Sequence, residues 1–172
     1  MFFRRKKSTE DKNAKKNIEI NKDVKELKAM ISGEVIPIDE VPDPVFASKT
    51  LGDGIAIRPE ENVITSPCDG VISMVADTGH AIGITLGNAA EILIHEGIDT
   101  VSLKGEGFHV FVKNGDKVKL GDKLLEFDED LIKSRGFMTE CILIVANSDD
   151  YPDMKLISGM NAVQKETTIC EF

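Results

Sequence analysis

DTGHAIGITLGNAAEILIHEGIDT, residues 77–100, holds two short apolar runs on either side of a turn at Gly87–Asn88. Runs of this length, bounded by turn residues, read as β-strands over 80–86 and 91–95. Each run carries one histidine, His80 and His95. If the two strands pair antiparallel, the two imidazoles can share one face. The second run ends on His95, and Gly97 follows two residues later. An ionisable ring at the end of a buried strand, where another Ile or Val would pack, asks for an explanation.

The same texture extends outward. Asp53–Gly54, Asp69–Gly70 and Asn114–Gly115 are tight-turn pairs, because glycine tolerates positive φ. Between them, strands are predicted near 34–38, 55–58, 70–76, 108–112, 123–127 and 140–146. One helical turn is predicted at Asp99–Leu103 and a short helix at Glu129–Arg135. NKDVKELKAMI, residues 21–31, admits two readings. Val24, Leu27 and Ile31 fit a helical face, while the flanking texture favours a strand. The expected fold class is all-β, an antiparallel β-sandwich or barrel-like fold with short helical turns.

The 172 residues suffice for one domain with a core, or one domain plus a tail. Residues 1–20 are polar and lysine-rich and read as a disordered tail. A single domain is expected over 21–172, with its motif core at about 34–160. Residues 1–16 hold seven basic side chains against two acidic ones, a net of +5. With a total of −9, the rest of the chain carries −14 and should attract basic partners. Phe2 and Phe3 beside the basic cluster could touch an anionic membrane surface; a solvated arm is the other reading.

The acidic balance and the absence of Trp argue against nucleic-acid binding. Cys68, Cys141 and Cys170 are widely spaced, without CxxC, and read as reduced thiols packed as small hydrophobes. No secretory h-region or membrane-length run is present, so a cytoplasmic location is expected.

Two neighbouring neutral imidazoles support three chemistries: metal binding, acid–base work, or nucleophilic attack by one ring assisted by the other. Two satisfied histidines at strand ends are the structural alternative. There is no GxxxxGK[ST] loop, HExxH or GxSxG motif. Outside the tail only Arg58 and Arg135 occur, so a phosphate handled here must find its cations largely on a partner.

VPDPVFASKTLGDGIAIRP (41–59), SPCDGVI (66–72), TGHAIGI (78–84), EILIHEGIDTVSLKGEGF (91–108) and GDKLLEFD (121–128), in that order, resemble the glucose-type IIA component of the bacterial phosphoenolpyruvate:sugar phosphotransferase system. The resemblance spans about 34–160 and implies a cofactor-free antiparallel β-sandwich. It implies a transferase that accepts a phosphoryl group from the carrier HPr, as a phosphohistidine. The group then passes to the IIB domain of a sugar permease, so membrane contact comes through IIBC or weakly through the basic tail. By this resemblance His95 is the phosphorylated residue. His80 is the second histidine, needed for onward transfer, and Thr78 hydrogen-bonds within the site. Asp43 and Asp99 lie beside the histidines, and Val45, Phe46 and Val101 form an apolar docking face. In some members the two histidines also bind zinc together with a partner's carboxylate.

These residue types suit the chemistry. A neutral imidazole is nucleophilic, and an Nδ1–H bond to a backbone carbonyl would leave the Nε2 lone pair free. Phosphoryl transfer rests on positioning and charge stabilisation, which His80 can supply. Gly97 is expected to remove bulk so that a partner can approach, and Asp43 and Asp99 to hold the partner's arginines. Glu96 departs from the family's apolar residue, and is expected to place an extra anion near the phosphate. Pro44 and Thr50 also alter the apolar face, and QKETTICEF (164–172) matches weakly. His109 is read as a surface or packing residue.

Other functions compete. A regulatory module would bind proteins through the same surface. A zinc hydrolase of lysostaphin type would use an HxH pair, which is absent. VKNGDKVKLGDKLLEFD (112–128) suggests a lipoyl-like carrier but lacks the modified-lysine turn.

Overall fold

A computed structural model describes residues 19–172. Short apolar runs broken by Gly- and Asp-rich turns form strands β1 (Glu26–Lys28), β2 (Gly33–Pro37), β3 (Asp53–Pro59), β4 (Val63–Thr65), β5 (Gly70–Val75), β6 (Ala81–Leu86) and β7 (Glu91–Glu96). They continue as β8 (Phe108–Val110), β9 (Lys117–Val118), β10 (Lys123–Phe127), β11 (Cys141–Val145), β12 (Lys155–Leu156), β13 (Asn161–Ala162) and β14 (Thr168–Glu171). Helices are short: α1 (Pro44–Ala47), α2 (Glu129–Ser134), and 3-10 turns at Ile38–Glu40, Thr100–Leu103 and Ser148–Asp150.

The largest sheet runs β13-β2-β3-β11-β7-β6-β5-β9. Three-stranded sheets β4-β10-β8 and β1-β14-β12 complete the fold. The strand pairings are antiparallel, as expected from the sequence. β6 and β7 are neighbours, with Ala81 opposite His95 and Ile82 opposite Ile94.

The pleat sorts side chains onto two cores. Val35, Ile55, Ile57, Ile82, Ile92, Ile94, Cys141, Leu143 and Val145 enter the main core between the sheets. Ile36, Ala56, Ile142 and Ile144 face the other way, against Ile38, Val41, Phe46 and Ile98. This second cluster explains why β11, CILIV, is apolar throughout: both of its faces are covered. Asp43 caps α1 by accepting from the Val45 N–H, and Pro44 takes the first helical position. The capped turn lays Phe46 over the sheet beside β7.

NKDVKELKAMI resolves as a strand over Glu26–Lys28, paired with β14. Leu27 and Ile31 are fully buried, as the helical pattern also required, but pairing with the C-terminal strand outweighs local helix preference. The run at 108–112 is a regular strand only as far as Val110; the Phe111 N–H still bonds the Leu124 carbonyl before the chain turns at Asn114–Gly115. The weakly matching C-terminal residues form β14, between β1 and β12. His109 is exposed and stacks edge-on against Phe111. The three cysteines are free thiols and buried. The tail expected over 1–20 lies, save its last two residues, outside the described residues. Among the described residues, no helix is long and apolar enough to cross a membrane.

Candidate active site

His95 is on β7, on the face that looks toward the second cluster. Its strand neighbour Leu93 packs there, and Phe46 meets the imidazole edge-on at 5.0 Å between ring centroids. His80 was expected inside a strand; it lies in the bend just before β6. From there its backbone carbonyl accepts the Glu96 N–H at 2.8 Å, which fixes the bend to the end of β7. The two rings stand edge to face, with centroids 4.9 Å apart.

Each ring is held through Nδ1. His95 Nδ1 lies 2.8 Å from the Gly97 carbonyl. A carbonyl only accepts, so Nδ1 carries the proton and Nε2 keeps its lone pair. His80 Nδ1 lies 2.6 Å from Thr78 Oγ1, a hydroxyl that can donate or accept.

Burial pushes the His95 pKa down to about 4, assisted by His80 and opposed by the Gly97 carbonyl, Asp43 and Asp99. Burial also lowers the pKa of His80. Both rings are therefore uncharged at neutral pH. The arginines among the described residues are engaged elsewhere: Arg58 with Glu34 at 2.9 Å and Arg135 with Glu106 at 2.7 Å.

Several sequence expectations change. Phe46 is 5% exposed and supports His95 from below, whereas Val45 and Val101 are half exposed beside it. Met138, which the sequence reading missed, is 50% exposed, and its carbonyl accepts from Ile98. Gly97 has φ 75°, and an added Cβ would overlap the Thr100 methyl and the Met138 carbonyl. Its glycine identity follows from internal crowding, which access for a partner does not explain. Asp43 spends a carboxylate oxygen on capping α1. Asp99 adopts a left-handed conformation with φ 59°.

Glu96 shows the largest departure. Its side chain points away from His95 into the main core, opposite Cys141, and is fully buried. Its carboxyl oxygens meet no nitrogen or oxygen donor; the Cys141 thiol is the polar group that lies against them. Burial, opposed by a contact with Cys141 and reinforced by Glu129 and Glu140, raises its pKa well above the usual carboxylate range. Burial favours its neutral form, and its direction into the core places no carboxylate on the phosphate side.

The family model for the phosphoenolpyruvate-dependent sugar phosphotransferase system, EIIA 1, matches residues 25–151. The chain belongs to this family. It is thus a phosphocarrier of a sugar phosphotransferase system, a transferase component acting toward the IIB domain of a permease. It is 45% identical over 143 residues to a glucose-specific EIIA component of Oceanobacillus iheyensis, covering 83% of this chain and 87% of that one. It is 37% identical over 151 residues to an N-acetylglucosamine-specific EIICBA component of Klebsiella pneumoniae, covering 88% of this chain and 23% of that protein. Glucose permease IIA from Mycoplasma capricolum superposes with a TM-score of 0.73 at 36% identity, over 86% of this chain and 94% of that one. The EIIA β-sandwich expected from the sequence is the fold observed.

Proposed function

We propose that His95 accepts the phosphoryl group on Nε2 from phosphorylated HPr, and that the unit doing so is a single domain over residues 21–172 working in the cytoplasm. The observation that carries this reading is the imidazole pair, 4.9 Å apart, with His95 Nδ1 committed to the Gly97 carbonyl.

In the transfer, the Nε2 lone pair forms the new P–N bond, while the bonding pair to the donor stays with the donor. The proton on Nδ1 remains, so the ring becomes cationic. Its bond to the Gly97 carbonyl then strengthens, because charged donors make stronger hydrogen bonds. Asp43 and Asp99 favour the same cationic ring, consistent with their upward pull on the His95 pKa. Help that grows as charge develops accelerates the step. With Thr78 donating to Nδ1, His80 presents Nε2–H toward the phosphoryl oxygens and supports onward transfer to IIB.

The remaining cations come from partners, drawn by the acidic body and docked over Val45, Val101 and the surroundings of Gly97. The reaction needs no resident cofactor. Zinc fits only as a shared ligand: two imidazoles can hold it, but a partner's carboxylate must help. Among the described residues, no cluster of three or more His, Cys, Asp or Glu forms a metal site.

Phosphoenolpyruvate, enzyme I and HPr should place an acid-labile, base-stable label on the protein. His95→Ala should abolish it. His80→Ala should still be labelled but fail to pass the group to IIB. Labelling that survives His95→Ala would overturn the assignment.

A further inference from the structure

The carbonyl that sets the His95 tautomer belongs to the sharp turn that leaves β7, Glu96 to Thr100. Two of its residues, Gly97 and Asp99, have positive φ. Asp99 is not a glycine, so surrounding contacts must hold the turn in that shape. Thr100 supplies them. It is fully buried, and Oγ1 donates to the Glu96 carbonyl at 2.5 Å. Its methyl occupies the space a Gly97 side chain would need. The Glu96 N–H is tied to the His80 carbonyl, and the Gly97 N–H to the Glu140 carbonyl at 2.9 Å. Thr100 thereby closes the remaining side of the peptide unit that precedes Gly97.

We propose that Thr100 is a positioning residue for phosphoryl acceptance, whose hydroxyl closes the turn so that the Gly97 carbonyl stays aimed at His95 Nδ1. This rests on His95 being the nucleophile. Thr100 acts through the carbonyl. Without its hydroxyl, the Glu96 carbonyl loses a buried partner and the turn can relax. The Nδ1–H bond then loosens, the proton can move to Nε2, and that tautomer has no lone pair for phosphorus.

The test compares wild type, Thr100→Val, which keeps the methyl, and Thr100→Ser, which keeps the hydroxyl. Two quantities are read: the nitrogen-15 spectrum of the His95 imidazole, and the initial rate of labelling from phosphorylated HPr. Wild type should show one tautomer, protonated at Nδ1. Thr100→Val should mix tautomers and slow labelling by about tenfold to a hundredfold, the scale of small misplacements near a reacting atom. Thr100→Ser should restore both, and the His80 signals should not change in any variant. Should Thr100→Val not fold, Thr100→Ala carries the same expectation. The proposal is overturned if the hydroxyl-free variant keeps tautomer and rate, or if Thr100→Ser loses as much as Thr100→Val. Failure of the nucleophile assignment looks different: label would persist in His95→Ala, whatever the Thr100 variants did.

Discussion

His95 and Glu96 are consecutive residues of β7, and the pleat sends them to opposite faces of one sheet. Each is an ionisable group in a poorly solvated place, and burial is the first cause of both pKa shifts. Burial lowers a base and raises an acid, so in each case it favours the neutral form. There the likeness ends. His95 has a carbonyl to fix its proton, a second imidazole in contact, and Asp43 and Asp99 to favour its cation. Glu96 has only the Cys141 thiol against it, and no nitrogen or oxygen donor for its carboxyl. Desolvation alone does not make a reactive group. Contacts that favour the charged product distinguish the nucleophile from its neighbour.

The sharpest way to break this contrast is to neutralise each side in turn. His95→Ala should remove labelling from phosphorylated HPr entirely, whereas Glu96→Gln should leave its rate unchanged. A loss of rate in Glu96→Gln comparable to His95→Ala would mean that the two faces are not separate.

Stability gives the next largest effect. Glu96→Met keeps length and removes from the core two polar atoms that meet only the Cys141 thiol. Urea unfolding should show a gain of about 1–3 kcal/mol, the usual cost of an unsatisfied buried group. A destabilised Glu96→Met would show that the carboxyl has partners that matter.

The pH dependence of unfolding should then carry two opposed contributions, which overlap between 4.5 and 6.5 and are separated by the variants. Between about 4 and the ordinary 6.5, unfolded His95 binds more protons than folded His95, so stability falls as pH drops through that window. His80 pulls in the same direction. Above 4.5 the folded Glu96 keeps a proton that the unfolded chain releases, so stability falls as pH rises. Glu96→Gln should flatten only the second slope, and His95→Asn should reduce only the first. Smallest of all is a direct readout: the His95 ring carbons should titrate near pH 4 by NMR. A midpoint near 6.5 would return the ring to solvent.

Much of this was legible beforehand. Alternating apolar runs and Asp-Gly turns marked the long strands β3, β5, β6, β7, β10 and β11, and α2 with its Asp128 cap fell where predicted. β9, β12 and β13 are two residues long and carry no periodicity. Their existence depends on partners distant in sequence. α1 was not expected: Asp43 and Pro44 form a helix start, but four residues are too few for a helical pattern. The hairpin brought the two histidines to one end of neighbouring strands, but its register, Ala81 opposite His95, would send position 80 to the other face; the bend before β6 makes the pair, and that was not visible in the pattern. Glu96 was misread although period-two alternation already placed it opposite His95. Thr100 was missed because its signal is a buried hydroxyl four residues from a carbonyl, visible only once the turn is built.

The pairing of β1 with β14 brings the first and last strands of the described chain side by side, with Glu26 opposite Glu171. They belong to a sheet that contributes neither histidine. Among the described residues, the chain entering β1 and the chain leaving β14 therefore meet at one patch, and segments joined there can precede or follow the fold without rerouting a strand through the imidazole pair. Gene fusion then becomes a cheap evolutionary move. The Klebsiella pneumoniae EIICBA component, where the matching region makes up 23% of the protein, shows that move in a relative.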